Sequence, residues 1–444
     1  MKLKDIKSRL TNSNILYAIS NVVFLGTIFL ADVYIARFFP LEKVGAWKQL
    51  ILLVQFTGAL LSFGVIEGFR FNIAKESTLI NMYLGASVTF FFFVALCIWA
   101  VLLFSESRVF MATLLGIDII AETGLLIPIL YLLLSINTLY QQICLARDKI
   151  RIIFFAMISF SVSFYITLFT FLSIKTVKFE ICIFSSFIVA FLLQSIIYIS
   201  HTKVIPFFFI KEIRFFLVKN IKFGFPLFVA TYIGILTLNI DKVIINKLGG
   251  IGAFAIYSVG ALEIPIIVLI TKSITNISYP KIISLVNNNN LDDAKILWIK
   301  DLMRVSYISY PIICLMMVFS KTIIVGIFGI NYILAVPVFK SYCLILLWRN
   351  AVYGTLLSSQ EKTYLITKHS FIALLINIIL SFFLFKIFGI VGVIYSTFIA
   401  ITVLHLLFMK YEKVLYDFFK AITSIRMLFW IICVFVCYFI LSEY

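Results

Sequence analysis

Apolar runs of bilayer-crossing length recur along nearly the whole chain. They lie near residues 14–38, 49–74, 79–104, 122–146, 152–174 and 181–200, then near 223–247, 253–279, 303–320, 335–358, 370–386 and 391–409. A shorter last run, 427–441, follows a polar-amphipathic stretch and is either a thirteenth span or an interfacial helix. Hydrocarbon offers no partner for backbone N–H and C=O groups, so segments of about 20 apolar residues cross it as helices. With 63% apolar and 13% charged residues in a chain of 444, there is no wettable exterior for a soluble domain. A soluble enzyme is excluded, and so is a nucleic-acid-binding protein, despite a formal charge of +17. The expectation is an all-α polytopic membrane protein with twelve transmembrane helices.

The basic residues orient these spans. The start, with Lys2, Lys4, Lys7 and Arg9, resembles a signal peptide, but its apolar run is too long and lacks an Ala-x-Ala site, so it reads as a retained first span. With that end in the cytoplasm, 24 of the 37 Lys and Arg fall on the cytoplasmic side and 10 on the other. Only Lys272, Lys340 and Arg349 sit well inside spans. The organisation expected is an N-lobe over 1–200, a cytoplasmic interfacial linker over 201–222, a C-lobe over 223–410, and a C-terminal stretch over 411–444.

The halves repeat. Asp32 is followed by Val44-Gly-Ala-Trp47, and Asp241 by Phe254-Ala-Ile-Tyr257; later, Arg147-Asp-Lys149 matches Glu361-Lys362. Lys149 lies 117 residues beyond Asp32, and Lys362 lies 121 beyond Asp241. Six spans per half is an even number, so the halves are expected as parallel repeats about an axis along the membrane normal, with a central cleft for alternating access.

Ionisable groups within spans are expensive unless they pair or face a cavity. The first two spans of the first half carry Asp32, Lys48, Glu67 and Arg70; the second half carries Asp241, Lys242, Glu263 and Lys272, and its tenth span adds Lys340 and Arg349. Glu67 and Arg70, at i and i+3, are placed to pair on one helix face. Lys48, Arg70, Lys272, Lys340 and Arg349 form a candidate site for an anion, since Lys and Arg bind phosphate well. Asp32, Glu67, Asp241 and Glu263 would carry a coupling H+ or Na+ or balance those cations. The plainer reading of all nine is paired structural ions or side chains snorkelling to headgroups. Gly64-x-x-x-Gly68 is a helix-packing face, and Gly250-Ile-Gly252 lacks the βαβ context of a dinucleotide site. The seven cysteines form no C-x-x-C, and the three histidines join no cluster, so no metal site is expected. No phosphate-binding Lys motif for ATP occurs, so no cofactor is expected either.

Several segments carry a family resemblance. Gly224-Phe-Pro226, Asp241-Lys-Val-Ile-Ile, Ala255-Ile-Tyr257, Tyr279-Pro280, Ile327-Phe-Gly329-Ile-Asn-Tyr332 and Phe388-Gly389-Ile-Val-Gly392-Val-Ile-Tyr-Ser-Thr397 resemble polysaccharide-lipid flippases of the O-antigen and capsule (Wzx) type. That superfamily also holds multidrug and toxin extrusion exporters and lipid II flippases. The resemblance implies a MATE-like fold and no enzymatic activity. It implies movement of undecaprenyl-pyrophosphate-linked oligosaccharide from the cytoplasmic to the periplasmic leaflet of a bacterial inner membrane, as part of lipopolysaccharide biosynthesis. It also implies a monomer working beside a polysaccharide polymerase and a chain-length regulator. A drug or cation exporter of the same architecture is the first rival; deep basic groups argue against it. A membrane-embedded glycosyltransferase or polymerase is the second, and the short connections argue against that.

Overall fold

The computed structural model describes residues 3–174, 176–207, 210–262 and 265–440, and all regular structure in them is helical. The first run is α1 (Leu3–Phe38), and the second is split into α2 (Leu41–Leu60) and α3 (Val65–Lys75). Then come α4 (Ile80–Leu102), a short α5 (Ser105–Leu115), α6 (Ile119–Thr123) leading into α7 (Ile127–Ala146), α8 (Ile150–Ser173) and α9 (Phe179–Thr202). The long α10 (Ile210–Gly260) turns at Gly250, whose φ is 76°. It is followed by α11 (Pro265–Asn287), α12 (Leu291–Val318), α13 (Ser320–Phe328), α14 (Ala335–Leu346) and α15 (Thr355–Ser359). The last elements are α16 (Thr363–Glu412), which breaks at Gly389 (φ 59°), α17 (Leu415–Ile422) and α18 (Ile425–Ile440).

Every expected run is helical, yet only eight helices among the described residues are long and apolar enough to cross a membrane. They become nine if α17 and α18, bent by 75°, count as one span. The second and tenth runs are broken within their length, and the eleventh and twelfth share α16. The chain is a polytopic membrane protein.

The helices divide into two compact units, Met1–Ile235 and Leu236–Tyr444, with the boundary inside α10. In the first unit α8 packs along α9, α1 against α8, and α7 against α9. The Gly64-x-x-x-Gly68 face meets α10 backbone to backbone: a Cβ on Gly68 would lie 2.0 Å from the Asn220 carbonyl oxygen, and one on Gly224 would lie 1.8 Å from that of Gly64. Close approach replaces a hydrophobic driving force that lipid cannot supply. It also lets polar side chains meet: Asn72 Nδ2 donates to Asn220 Oδ1 at 2.8 Å, and Asn220 Nδ2 to Ser87 Oγ at 3.1 Å. Beside them, outside the spans, Glu76 accepts from Lys219 at 2.6 Å and from Tyr83 at 2.7 Å. The Lys219 and Tyr83 donors hold the Glu76 carboxyl below its ordinary range, and Glu76 raises Lys219 in turn. Phe216 of the 201–222 stretch sits in this unit's core, 4.7 Å from Tyr83 between ring centroids.

In the second unit α12 packs on α11 and α18, and α14 on α16. The run at 427–441 is therefore docked on helices: Tyr438 of α18 meets Tyr395 at 2.5 Å and Ser341 at 3.1 Å through their hydroxyls.

The repeat is written in the turns. Asp148 (φ 52°) and Glu361 (φ 60°) take the left-handed conformation at matched positions. The next N–H groups reach back alike, Lys149 to the Cys144 carbonyl at 2.8 Å and Lys362 to that of Leu357 at 2.9 Å. Lys203-Val204 and Lys413-Val414 match as well, with φ 54° and 57° at the lysines and both valines buried. So do Gly116-Ile-Asp118 and Gly329-Ile-Asn331, after short α5 and α13, with positive φ at both glycines.

The backbone contact at Gly68 has a direct test. Gly68→Ala is expected to destabilise the protein by about 1–3 kcal/mol, seen as a lower melting temperature in detergent. Gly26→Ala, where a Cβ meets nothing within 4 Å, should leave it unchanged or raised.

Candidate functional site

Each unit holds one aspartate gripped by an aromatic residue on the next helical segment. In the first, Asp32 of α1 accepts from the Trp47 indole at 2.5 Å and from Lys48 Nζ at 2.8 Å. Trp47 is fully buried and stacks on Phe187 at 5.6 Å, which fixes its donor. The charge of Lys48 is thus met by Asp32, both side chains being 13% exposed. In the second, Asp241 is 3% exposed; Tyr257 donates to its Oδ2, and the Lys242 backbone N–H to its Oδ1 at 2.8 Å. The Lys242 ammonium turns to Asn239 Oδ1 at 2.9 Å. The residues that match in sequence are those that bond in space.

Glu67 and Arg70 do not pair. Both lie on α3, but Arg70 is exposed, while Glu67 is half-buried with its Oε2 lacking a hydrogen-bond partner among the described residues. Sharing a face is not enough when packing against neighbouring helices holds one side chain inward. Glu263 lies outside the described residues.

The basic candidates of the tenth run lie along a broken helix. α14, carrying half-buried Lys340, ends in a 3-10 turn over Leu347–Arg349, and regular structure resumes at Thr355 after Gly354 (φ 81°). The freed backbone is satisfied from neighbouring helices. Thr271 Oγ1 donates to the Arg349 carbonyl at 2.5 Å, and the Trp298 indole to that of Val352 at 3.3 Å. Asn350, buried, donates to Ser306 at 2.8 Å and Tyr310 at 3.1 Å and accepts from Tyr353 at 2.9 Å. The Thr271 bond sets exposed Lys272 on α11 beside the turn that bears half-buried Arg349. Two of the three basic candidates of this unit therefore come from adjacent backbone, and both Arg349 and Lys340 engage neighbours.

Sequence reasoning passed over Glu412. It is buried on α16, and its Oε1 accepts the Leu356 and Leu357 N–H groups at 3.0 and 3.1 Å, capping α15 where the tenth run resumes. Its place at the end of an apolar run disguised it. The break itself was signalled only by Asn350 and Gly354. Among the described residues no group of three or more His, Cys, Asp or Glu side chains could hold a metal.

The two aspartates should differ in their dependence on the aromatic donor. Tyr257→Phe leaves a fully buried carboxylate short of its side-chain donor and is expected to destabilise by about 1–3 kcal/mol. Trp47→Phe should have the smaller effect, because Lys48 remains on Asp32; thermal unfolding of the two variants in detergent measures the difference.

No protein-family model and no curated protein sequence matches the chain. Solved structures do. Lipid II flippase MurJ in an inward closed conformation aligns with a TM-score of 0.61 and 18% identity, over 97% of this chain and 98% of that one. An inward-facing multidrug resistance MATE family transporter of the MOP superfamily aligns at 0.63 and 12%, over 92% and 96%. A MOP superfamily transporter from Pyrococcus furiosus, described as having a binding pocket of reversed polarity, aligns at 0.57 and 11%, over 92% and 96%. The chain has the all-helical fold of MurJ and the MATE transporters.

Proposed function

We propose that the chain is a flippase for undecaprenyl-pyrophosphate-linked oligosaccharide, an O-antigen or similar repeat unit, carried from the cytoplasmic to the periplasmic leaflet of a bacterial inner membrane. The observation that carries the reading is the pair of cations, Lys272 and Arg349, set on adjacent backbone by the Thr271 bond. Two adjacent basic groups in a chain built of apolar, membrane-crossing helices suit a phosphate-bearing headgroup. The sugar hydroxyls of such a lipid cost roughly 2–7 kcal/mol each to strip of water unpaired, so unaided flipping is negligible. The pyrophosphate carries about two negative charges. Moving them outward across an interior-negative potential is favoured by roughly 2.3 kcal/mol per charge per 100 mV. The fold shared with a lipid II flippase supports the reading at the level of architecture.

The second reading is a drug or cation exporter. The likeness to a multidrug MATE transporter, together with the buried carboxylate of Asp241, is what favours it.

Lys272→Ala and Arg349→Ala, each expressed in the native host lacking the wild-type chain, are expected to reduce surface polysaccharide to background while the protein stays at wild-type levels in the membrane. Arg349→Lys should keep part of the activity. Normal surface glycan in both alanine variants would overturn the cationic site.

A further inference from the structure

We propose that α17 and the start of α18 hold an anionic glycerophospholipid, phosphatidylglycerol being the test case, and that the bound headgroup steadies the break bearing Arg349. α18 is apolar but for Arg426, and α17 turns from it by 75°. A helix at that angle to a crossing segment lies close to the membrane plane, at headgroup level. α17 has two faces. Phe418 and Ala421 are buried against the helices behind them, whereas Tyr416 is 78% and Phe419 50% exposed, and Lys420 is exposed with them. These three, at i, i+3 and i+4, share the outward face.

The charge of this stretch is one-sided. Lys410, Lys413, Lys420 and Arg426 are all exposed, and among the described residues none has a carboxylate within ion-pair distance. Two acids lie between them in sequence. Glu412 is buried and turned to the α15 amides, so Asp417 alone shares the surface. Unpaired cations beside exposed aromatic rings at headgroup depth fit a phosphate diester carried on a lipid. A zwitterionic headgroup cancels its own phosphate charge. A free phosphate has no acyl chain to lay beside Tyr416, Phe419 and Ile425, the last 88% exposed.

The inward face of α17 reaches the break in the tenth run. Phe418 stacks on Trp348, 6.0 Å between ring centroids and 15° between planes. Trp348 directly precedes Arg349, and its indole donates to Thr402 Oγ1 at 2.8 Å. Phe418 and Val414 share one apolar cluster with Trp298, Leu302 and Leu356. One segment, Glu412 to Phe418, therefore holds both ends of the break: Trp348 by stacking, and α15 by the Glu412 cap. A lipid that fixes α17 from outside presses this segment onto the break. The site concerns the surrounding bilayer rather than the transported molecule, so it stands apart from the flippase reading.

Hydrogen–deuterium exchange of the purified full-length chain is followed in neutral detergent micelles carrying increasing phosphatidylglycerol. Expected is saturable protection of the amides of 413–426 and of 347–358, which phosphatidylcholine at the same mole fraction and free glycerol phosphate do not produce. Lys413→Gln, Lys420→Gln and Arg426→Gln should each raise the midpoint about fivefold, and together roughly a hundredfold. These side chains are exposed, so any single variant that folds decides. The pair Arg147→Gln and Arg151→Gln, exposed cations of the first unit, should leave the midpoint unchanged. Equal protection by phosphatidylcholine or glycerol phosphate, an unchanged midpoint in the triple variant, or a response lost in the Arg147 and Arg151 variant overturns the proposal. Protection confined to 413–426 overturns the coupling to the break. The readout involves no transport, so it fails or succeeds separately from the flippase reading.

Discussion

Backbone that leaves the helix inside hydrocarbon must find its hydrogen bonds from other helices, because no water is there to supply them. The chain breaks its helices inside apolar runs and meets several of the freed carbonyls with side-chain donors. At the break after α2, Tyr131 donates to the Leu61 carbonyl at 2.8 Å, while Gly64 takes the left-handed turn. At the break in the tenth run, Thr271, Trp298 and Thr355 serve the carbonyls of Arg349 and Val352, and Glu412 caps the helix that resumes. These bonds position the groups on which the function is argued. Remove the Thr271 bond and Lys272 loses its fixed relation to Arg349.

Duplication explains why the same devices appear in each unit, and divergence explains where the chemistry concentrates. Asp32 and Asp241 are held by Trp47 and Tyr257, an indole in one unit and a phenol in the other. The first unit then neutralises its aspartate with Lys48. The second directs Lys242 to Asn239 and carries Lys272, Lys340 and Arg349 in its eighth and tenth apolar runs. The two units are alike in scaffold and unlike in charge.

The fold was legible because helical spans announce themselves by length and composition, and the spacing from each aspartate to the small residue after it, Gly45 and Ala255, carried the repeat. The Gly64-x-x-x-Gly68 face was legible too, since only glycine permits the approach to Asn220 and Gly224. Other features left little trace. The pairing expected of Glu67 with Arg70 failed because helix spacing says nothing about which side chain its neighbours hold inward. The matched turns at Asp148 and Glu361 depend on left-handed backbone at residues that are not glycine, which composition does not reveal. Asp301 and Glu412 stand beside the ends of apolar runs; their burial comes from packing between helices distant in the chain.

The proposed cargo is an anionic lipid-linked oligosaccharide moved between leaflets. Reconstitution into liposomes holding a labelled polyprenyl-pyrophosphate oligosaccharide tests it most directly, with an impermeant glycosidase added outside to report how much lipid is accessible. Accessible lipid is expected to rise from about half, the outer-leaflet share, toward the whole pool, and Lys272→Ala and Arg349→Ala to slow this rise. Accessibility that stays at the protein-free level, while the same vesicles move a cationic drug, would contradict it.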